Sequence, residues 1–197
     1  MSNYRIAQRF RGLLPVVIDV ETSGLNPLTD SMLEIAAVTL GMDTAGKLYP
    51  EETHAFHIEP FIGAHIDPEA LAITGIDPGC PLRYAIPEKQ ALHRIFSLIK
   101  QKVIEKSCQR GVLVGHNAWF DLAFIQAAVK RCQFESIPIH GFTTFDTATL
   151  AAVALGETVL AKAARKARIP FDINLAHSAI YDAERTAELF CYIVNRF

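Results

Sequence analysis

Residues 13 to 25, LLPVVIDVETSGL, constrain the fold of this chain more than any other stretch. Val16, Val17 and Ile18 are β-branched and follow Pro15, a pattern that predicts a buried strand. Asp19 and Glu21 stand two apart at its end, so an extended backbone sends both carboxylates to the same face. Two acids leaving a hydrophobic strand together are costly to desolvate unless a positive charge lies between them. A hard divalent cation with oxygen ligands is the simplest such partner. The competing explanation is a strand end that frays into a solvated turn built from Thr22, Ser23, Gly24 and Asn26.

Half of the 197 residues are hydrophobic. That suffices for one sizeable core and is too little for two generous domains, so residues 1–197 are expected to form a single domain. With 19 basic and 21 acidic residues the net charge is −2, which gives no global case for a polyanion partner; any such site has to be local. The opening MSNYRIAQRFRG is polar, and no run approaches the roughly 20 apolar residues that span a bilayer. The expectation is a soluble, cytoplasmic protein that does not engage a membrane. Cys80, Cys108, Cys132 and Cys191 lack CxxC or zinc-like spacing and are expected to be reduced, buried thiols.

After the first strand, Met32–Leu40 and residues 53–60 read as two more strands, and the intervening turn residues suggest a three-stranded antiparallel meander. A short helix is predicted from Asp67 or Pro68, stopped by Gly75. The Pro- and Gly-rich stretch 75–87 reads as a connection. From Glu88, Leu92, Ile95, Phe96, Ile99, Val103 and Ile104 recur at helical spacing, with Lys100, Lys102 and Lys106 expected on its solvated face. Gly111–Gly115 reads as a short strand before a helix, and Thr143–Phe145 as a strand ending at Asp146. Helices are predicted over 148–155, 159–167 and from Ser178 towards Asn195. The meander followed by strand–helix alternation implies an α/β fold with a mixed sheet that needs helices over it.

Two further acids sit in apolar settings, Asp121 in the helix after the 111–115 strand and Asp182 in the first turns of the last helix, five residues after His177. Each alone has an ordinary explanation as a cap or as an acid favoured near a helix N-terminus. Together with Asp19 and Glu21 they make the case for a clustered site.

The stretches VIDVETSG, HNAWFD and HSAIYDAERTA, in that order, resemble the three motifs of the histidine-bearing subgroup of the DEDD exonucleases. RFRG, LEIAAVTL, HIEPF, PEALAITGIDP, FTTFDTA and FCYIVNR extend the likeness to the bacterial ribonuclease T family over nearly the whole chain. The resemblance implies an RNase H-like exonuclease fold, a mixed central sheet flanked by helices, in one exonuclease domain. It also implies Asp19, Glu21, Asp121 and Asp182 as ligands of two Mg²⁺ ions, or Mn²⁺, with His177 as the catalytic base. Both roles are chemically coherent, since four carboxylates can hold a metal pair and an imidazole can take a proton from water. By the same likeness Glu69 lies near the terminal nucleotide, and Phe120 and Phe142 stack on bases. Arg9 and Arg11 match a basic patch that serves the site of the other subunit in a homodimer. The family carries four phenylalanines at the 3′ end, whereas the matching positions here are Leu25, Ile73, Phe120 and Phe142. Leu25 and Ile73 lack a π face, so weaker 3′-end binding and a changed base preference are expected.

The activity so implied is metal-dependent 3′ to 5′ trimming of single-stranded RNA ends, tRNA precursors among them, with single-stranded DNA as a further substrate. An inactive protein that binds single-stranded nucleic acid is the alternative from another class. Intact acids and His177 count against it. A scaffold with incidental acids leaves their distribution unexplained.

Overall fold

The structure, a computed structural model, describes residues 5–197; the first four residues of the polar N-terminal segment lie outside it. A one-turn helix not foreseen from the sequence, α1 (Ile6–Arg9), buries Ile6 against the core before β1 (Leu13–Thr22) begins. β2 (Met32–Met42) and β3 (Leu48–Glu59) complete the expected antiparallel meander. α2 (Pro68–Thr74) has the anticipated boundaries: the Asp67 side chain accepts from Glu69 N, Pro68 occupies the first turn, and Gly75 ends the helix at φ +68°. The connection at 75–87 holds a 3₁₀ turn at Pro81–Arg83 and a two-residue strand, β4 (Ile86–Pro87).

α3 (Glu88–Glu105), β5 (Arg110–Gly115), α4 (Trp119–Arg131), β6 (Ile139–Asp146), α5 (Thr147–Leu155), α6 (Leu160–Ala167) and α7 (Ala179–Val194) follow. β6 begins four residues earlier than the sequence pattern indicates. Among its added residues His140 and Gly141 have little strand propensity and interrupt the pattern between Ile139 and Phe142, and pairing of Ile139 with Gly111 of β5 carries the strand through them.

The six strands form one mixed sheet in the order β4-β3-β2-β1-β5-β6. β1 is antiparallel to β2 and parallel to β5, which is parallel to β6. Val16, Val17 and Ile18 are all fully buried although successive side chains point to opposite faces, so both faces of β1 are covered. α7 packs across β1, β2 and β3, α3 across β2, β3 and β5, and α4 against β1, β5 and β6. The parallel strands β1, β5 and β6 therefore end along one edge, the place where open α/β sheets gather ligands. α7 begins at that edge, because its first residue bonds to the side chain of Glu34 on β2.

Three expectations fail here. Ile104, expected among the packed positions of α3, is exposed near the end of the helix. Lys102 is not on a solvated face: it is buried, with its ammonium 2.7 Å from Glu52 and 3.5 Å from Glu51, both on β3. The hydrogen bond to Glu52 holds its pKa above the usual lysine range. Of the four cysteines, all free thiols, Cys191 alone is buried; Cys80, Cys108 and Cys132 are half-buried.

A second ion pair ties the helices. Arg131 at the end of α4 grips Glu88 at the start of α3 through Nη2 to Oε1 at 2.6 Å and Nε to Oε2 at 2.9 Å, while its guanidinium lies 3.8 Å from the Phe61 ring centroid. Glu88 is buried, so losing Arg131 strands a carboxylate. Arg131→Met is expected to cost about 3 kcal/mol in urea unfolding, and adding Glu88→Gln should recover at least half of the loss. An unchanged urea midpoint in the single variant would refute this assignment.

Candidate active site

The carboxyl end of β1 gathers the acids. Asp19 lies opposite Ala36 of β2 and Glu21 opposite Glu34, with a register shift between Glu21 and Thr22. Such a bulge re-aims the strand end, as is common beside active sites. Glu21 is 8% exposed and Asp121 5%.

α4 reaches β1 through Asp121, whose Oδ1 accepts from Val20 N at 3.0 Å. Gly115 at the end of β5 makes that approach possible: a Cβ there would lie 3.1 Å from Asp121 Oδ2 and 3.1 Å from Ala118 Cα. Asp146 braces the same turn, accepting from Ala118 N at 2.9 Å through one oxygen and capping α5 through the other. His116, which the sequence left without a role, bridges Thr147 Oγ1 at 3.0 Å and Thr158 O at 2.8 Å, and burial pushes its pKa down. It is a strut between turns.

α7 supplies the fourth acid. Asp182 Oδ2 accepts from His177 N at 2.9 Å, and His177 takes a left-handed backbone at φ +64°, uncommon for a residue with a side chain. This loop is fixed to the sheet as well. Glu34 accepts from Ala179 N at 3.3 Å and sits 2.9 Å from His57 Nδ1 on β3. Glu34 and His57 were not singled out from the sequence; the only sign of the former is a lone acid within the apolar LEIAAVTL strand.

The result is a set of carboxylates that repel one another. Burial is the main cause of a strong upward shift at Asp19, with Asp121, Glu21, Asp182 and Glu34 adding to it. Burial and the charges of Asp182, Glu34 and Asp121 push Glu21 up to about 8. Asp121 is raised by burial to about 8 against the opposing bond from Val20, and burial also raises Asp182.

The RNase_T exonuclease family profile matches residues 16–190, and all four acids and His177 fall within that span. The chain belongs to this exonuclease family. Among curated relatives it is 56% identical over 192 residues to ribonuclease T of Cronobacter sakazakii, covering 98% of this chain and 86% of that protein. It is 54% identical over 192 residues to ribonuclease T of Escherichia coli K12, covering 98% and 89%. Among solved structures, the nuclease domain of 3′hExo, a DEDDh member bound to rAMP, superposes with a TM-score of 0.72 at 17% identity, over 92% of each chain. Escherichia coli exonuclease I with a dT13 oligonucleotide gives 0.69 at 20% identity, over 93% of this chain and 41% of that one. These structural likenesses establish the mixed α/β exonuclease fold.

The residues of this exonuclease fit a bound cation. Glu21, His177 and Asp182 each bring one ligand atom within 4.8 Å of the others. Asp182 Oδ1 is buried without a hydrogen-bond partner, an oxygen left free beside raised carboxylates. The carboxylate oxygens of Glu21 and Asp182 are hard donors that suit Mg²⁺ or Mn²⁺.

The other anticipated site residues divide. Ser23 O accepts from Asp67 N and Ser23 Oγ donates to His65 O, so the loop after β1 that carries Leu25 is tied to the start of α2, which carries Glu69 and Ile73. Leu25, Ile73 and Phe142 are 81%, 63% and 83% exposed, and Glu69 is exposed too. Phe120 is half-buried, its ring 4.9 Å from that of Phe124. Arg9 and Arg11 precede β1 and lie at its other end, ~20 Å from Asp19 at the rise of a strand. Arg9 donates to the carbonyls of Gly46 and Val194. Neither arginine joins the acids of its own chain.

These shifts set a sign for stability. Glu21 and Asp121 have folded-state values near 8, above the ordinary carboxylate range. The native state therefore binds protons more tightly than the unfolded chain, so the protonated cluster is stabilising at pH 4 and that contribution is lost as pH rises through about 8. In EDTA, stability is expected to fall by on the order of 2–4 kcal/mol between pH 5 and 8.5, and Mg²⁺ should restore more at pH 8.5 than at pH 6. Thermal melts across that grid check both signs. A metal-free stability that rises over the interval would contradict the clustered-acid geometry.

Proposed function

We propose that this protein is a Mg²⁺-dependent 3′ to 5′ exoribonuclease that trims single-stranded RNA ends, tRNA precursors included, and also accepts single-stranded DNA. The observation that carries this reading is the convergence of Asp19, Glu21, Asp121 and Asp182, from three separate elements, with His177 at the rim. The relatives named ribonuclease T support the choice of RNA.

In this proposal the four carboxylates hold two Mg²⁺ ions, with Mn²⁺ as a substitute. Bound there, the metal supplies Lewis-acid stabilisation of the phosphoryl oxygens and lowers the pKa of water. His177 takes the proton of the attacking water. The new bond joins water oxygen to phosphorus; the bond to the neighbouring 3′ oxygen breaks, leaving a 5′-mononucleotide and a strand one residue shorter. Asp182 fixes the His177 backbone, so one side chain both neutralises the cation and places the base. Leu25, Glu69, Ile73, Phe120 and Phe142 receive the terminal nucleotide.

RNA labelled at the 3′ end should lose its label first, as a mononucleotide and only with Mg²⁺, while internal fragments at the outset would refute exonucleolysis. His177→Ala should lower the single-turnover rate at saturating RNA by 10²-fold or more, with binding changed less than about threefold. Equal rates would remove His177 from the chemistry. Tight RNA binding without turnover in the parent protein would favour the inactive binding-protein reading.

The distance of Arg9 and Arg11 from their own acids supports a homodimer in which they serve the partner's site. On that basis a protein carrying Arg9→Ala with Arg11→Ala and another carrying Asp19→Asn should each be weakly active. Mixing them should recover up to about a quarter of parental activity, since one composite site in a hybrid dimer is intact. No recovery, with subunit exchange verified by mass, would place each site within one chain.

A further inference from the structure

The only tryptophan in the sequence, Trp119, opens α4 two residues before Asp121 and is 67% exposed. The residues of α4 that enter the core are Asp121, Leu122, Phe124, Ile125 and Ala128. Trp119 is not among them, so its large ring is held in water rather than used for packing. Its neighbour is Phe120: the centroids are 5.8 Å apart and the planes perpendicular. Phe120 in turn leans on Phe124 in the core, so the exposed indole stands on a rigid aromatic support, edge to face with a ring proposed to receive the terminal base. Position and rigidity both matter, because a stacking platform that is already ordered loses little entropy when a base settles on it.

We propose that Trp119 is a base-stacking subsite for the nucleotide on the 5′ side of the terminal one, a reading that rests on the exonuclease function above. The indole offers the largest π face of any side chain and has no demand for base identity, as an enzyme that trims one residue after another requires. Its supporting ring, 5.8 Å away, is one of the residues proposed to receive the terminal base, so the indole is within one base step of that nucleotide. The aliphatic Leu25 and Ile73 leave the terminal pocket short of rings, and Trp119 returns stacking one nucleotide upstream.

Because the chain has a single tryptophan, its emission reports on this position alone. The parent protein is titrated with 5′-AMP and with phosphorothioate-linked di- and tetraribonucleotides, which resist hydrolysis, and affinities of the Trp119→Ala and Trp119→Phe variants are measured by competition with a 5′-labelled tetramer. Exposed Trp119 can be replaced without opening the core. The expected result is quenching by the di- and tetranucleotides but not by 5′-AMP. Trp119→Ala should weaken the longer ligands about tenfold, leave 5′-AMP unchanged, and be partly rescued by Trp119→Phe. Affinity within twofold of the parent for every length, or equal loss for 5′-AMP and tetramer, would overturn the proposal, as would emission that changes on protein dilution but not with RNA. Hydrolysis of unmodified RNA by the parent separates the outcomes: turnover with a silent Trp119 refutes the subsite alone, whereas no turnover refutes the functional reading as well.

Discussion

Packing like charges together at the end of a buried strand is the constraint on which the rest of this structure depends. Asp19, Glu21, Asp121 and Asp182 come from β1, α4 and α7, and each is raised above its ordinary pKa chiefly by burial. Nothing in their mutual electrostatics favours the arrangement, so the scaffold must impose it. β1 does so by running through a core in which Val16, Val17 and Ile18 are inaccessible on both faces. α4 is held by the Asp121 bond to Val20 and by the small space left at Gly115. α7 is held by Glu34, an acid that adds to the repulsion while its hydrogen bond to Ala179 fixes the helix that brings Asp182. Burial and mutual repulsion of this kind are what a bound cation would relieve, which is the relation between stability and function expected of a metal site.

How much of this was legible in the sequence follows from the range of the interactions. The D-x-E pair on an apolar strand needs only the two-residue period of extended chain, and α2 needs only Asp67, Pro68 and Gly75. Lys102 was misread because helical spacing speaks for one helix at a time. The acids that draw it inward are Glu51 and Glu52, some fifty residues earlier on β3. Glu34 was missed for the same reason, since its importance lies in facing Glu21 across one strand pair and His57 across the next. Asp121 and Asp182 became readable as a site through family motifs, whereas their distance from β1 along the chain conceals the contact that the fold creates.

The apolar residues around the site show a similar division. Leu25, Ile73 and Phe142 are large and exposed, so the fold leaves them accessible for the role proposed for them. Phe120 differs, being half-buried against Phe124, so the proposed contact with a base is limited to the part of the ring that the core leaves uncovered. The arginines divide from these by position. At the far end of β1, with Arg9 bound to two backbone carbonyls, they help to close the chain's own surface as well as carry charge.

His177 joins the electrostatic and the conformational arguments. A residue with a Cβ at φ +64° carries steric strain and persists only where its surroundings over-determine it, and here they do: its N–H is fixed by Asp182 while α7 is fixed by Glu34. The left-handed turn leaves the imidazole exposed at the rim, within ligand distance of Glu21 and Asp182 instead of packed beneath them. The proposed base and the proposed cation ligand therefore move as one unit. A displacement of the start of α7 disturbs both, and this coupling accounts for a carboxylate of the sheet being spent on a backbone N–H where a neutral cap would give less repulsion.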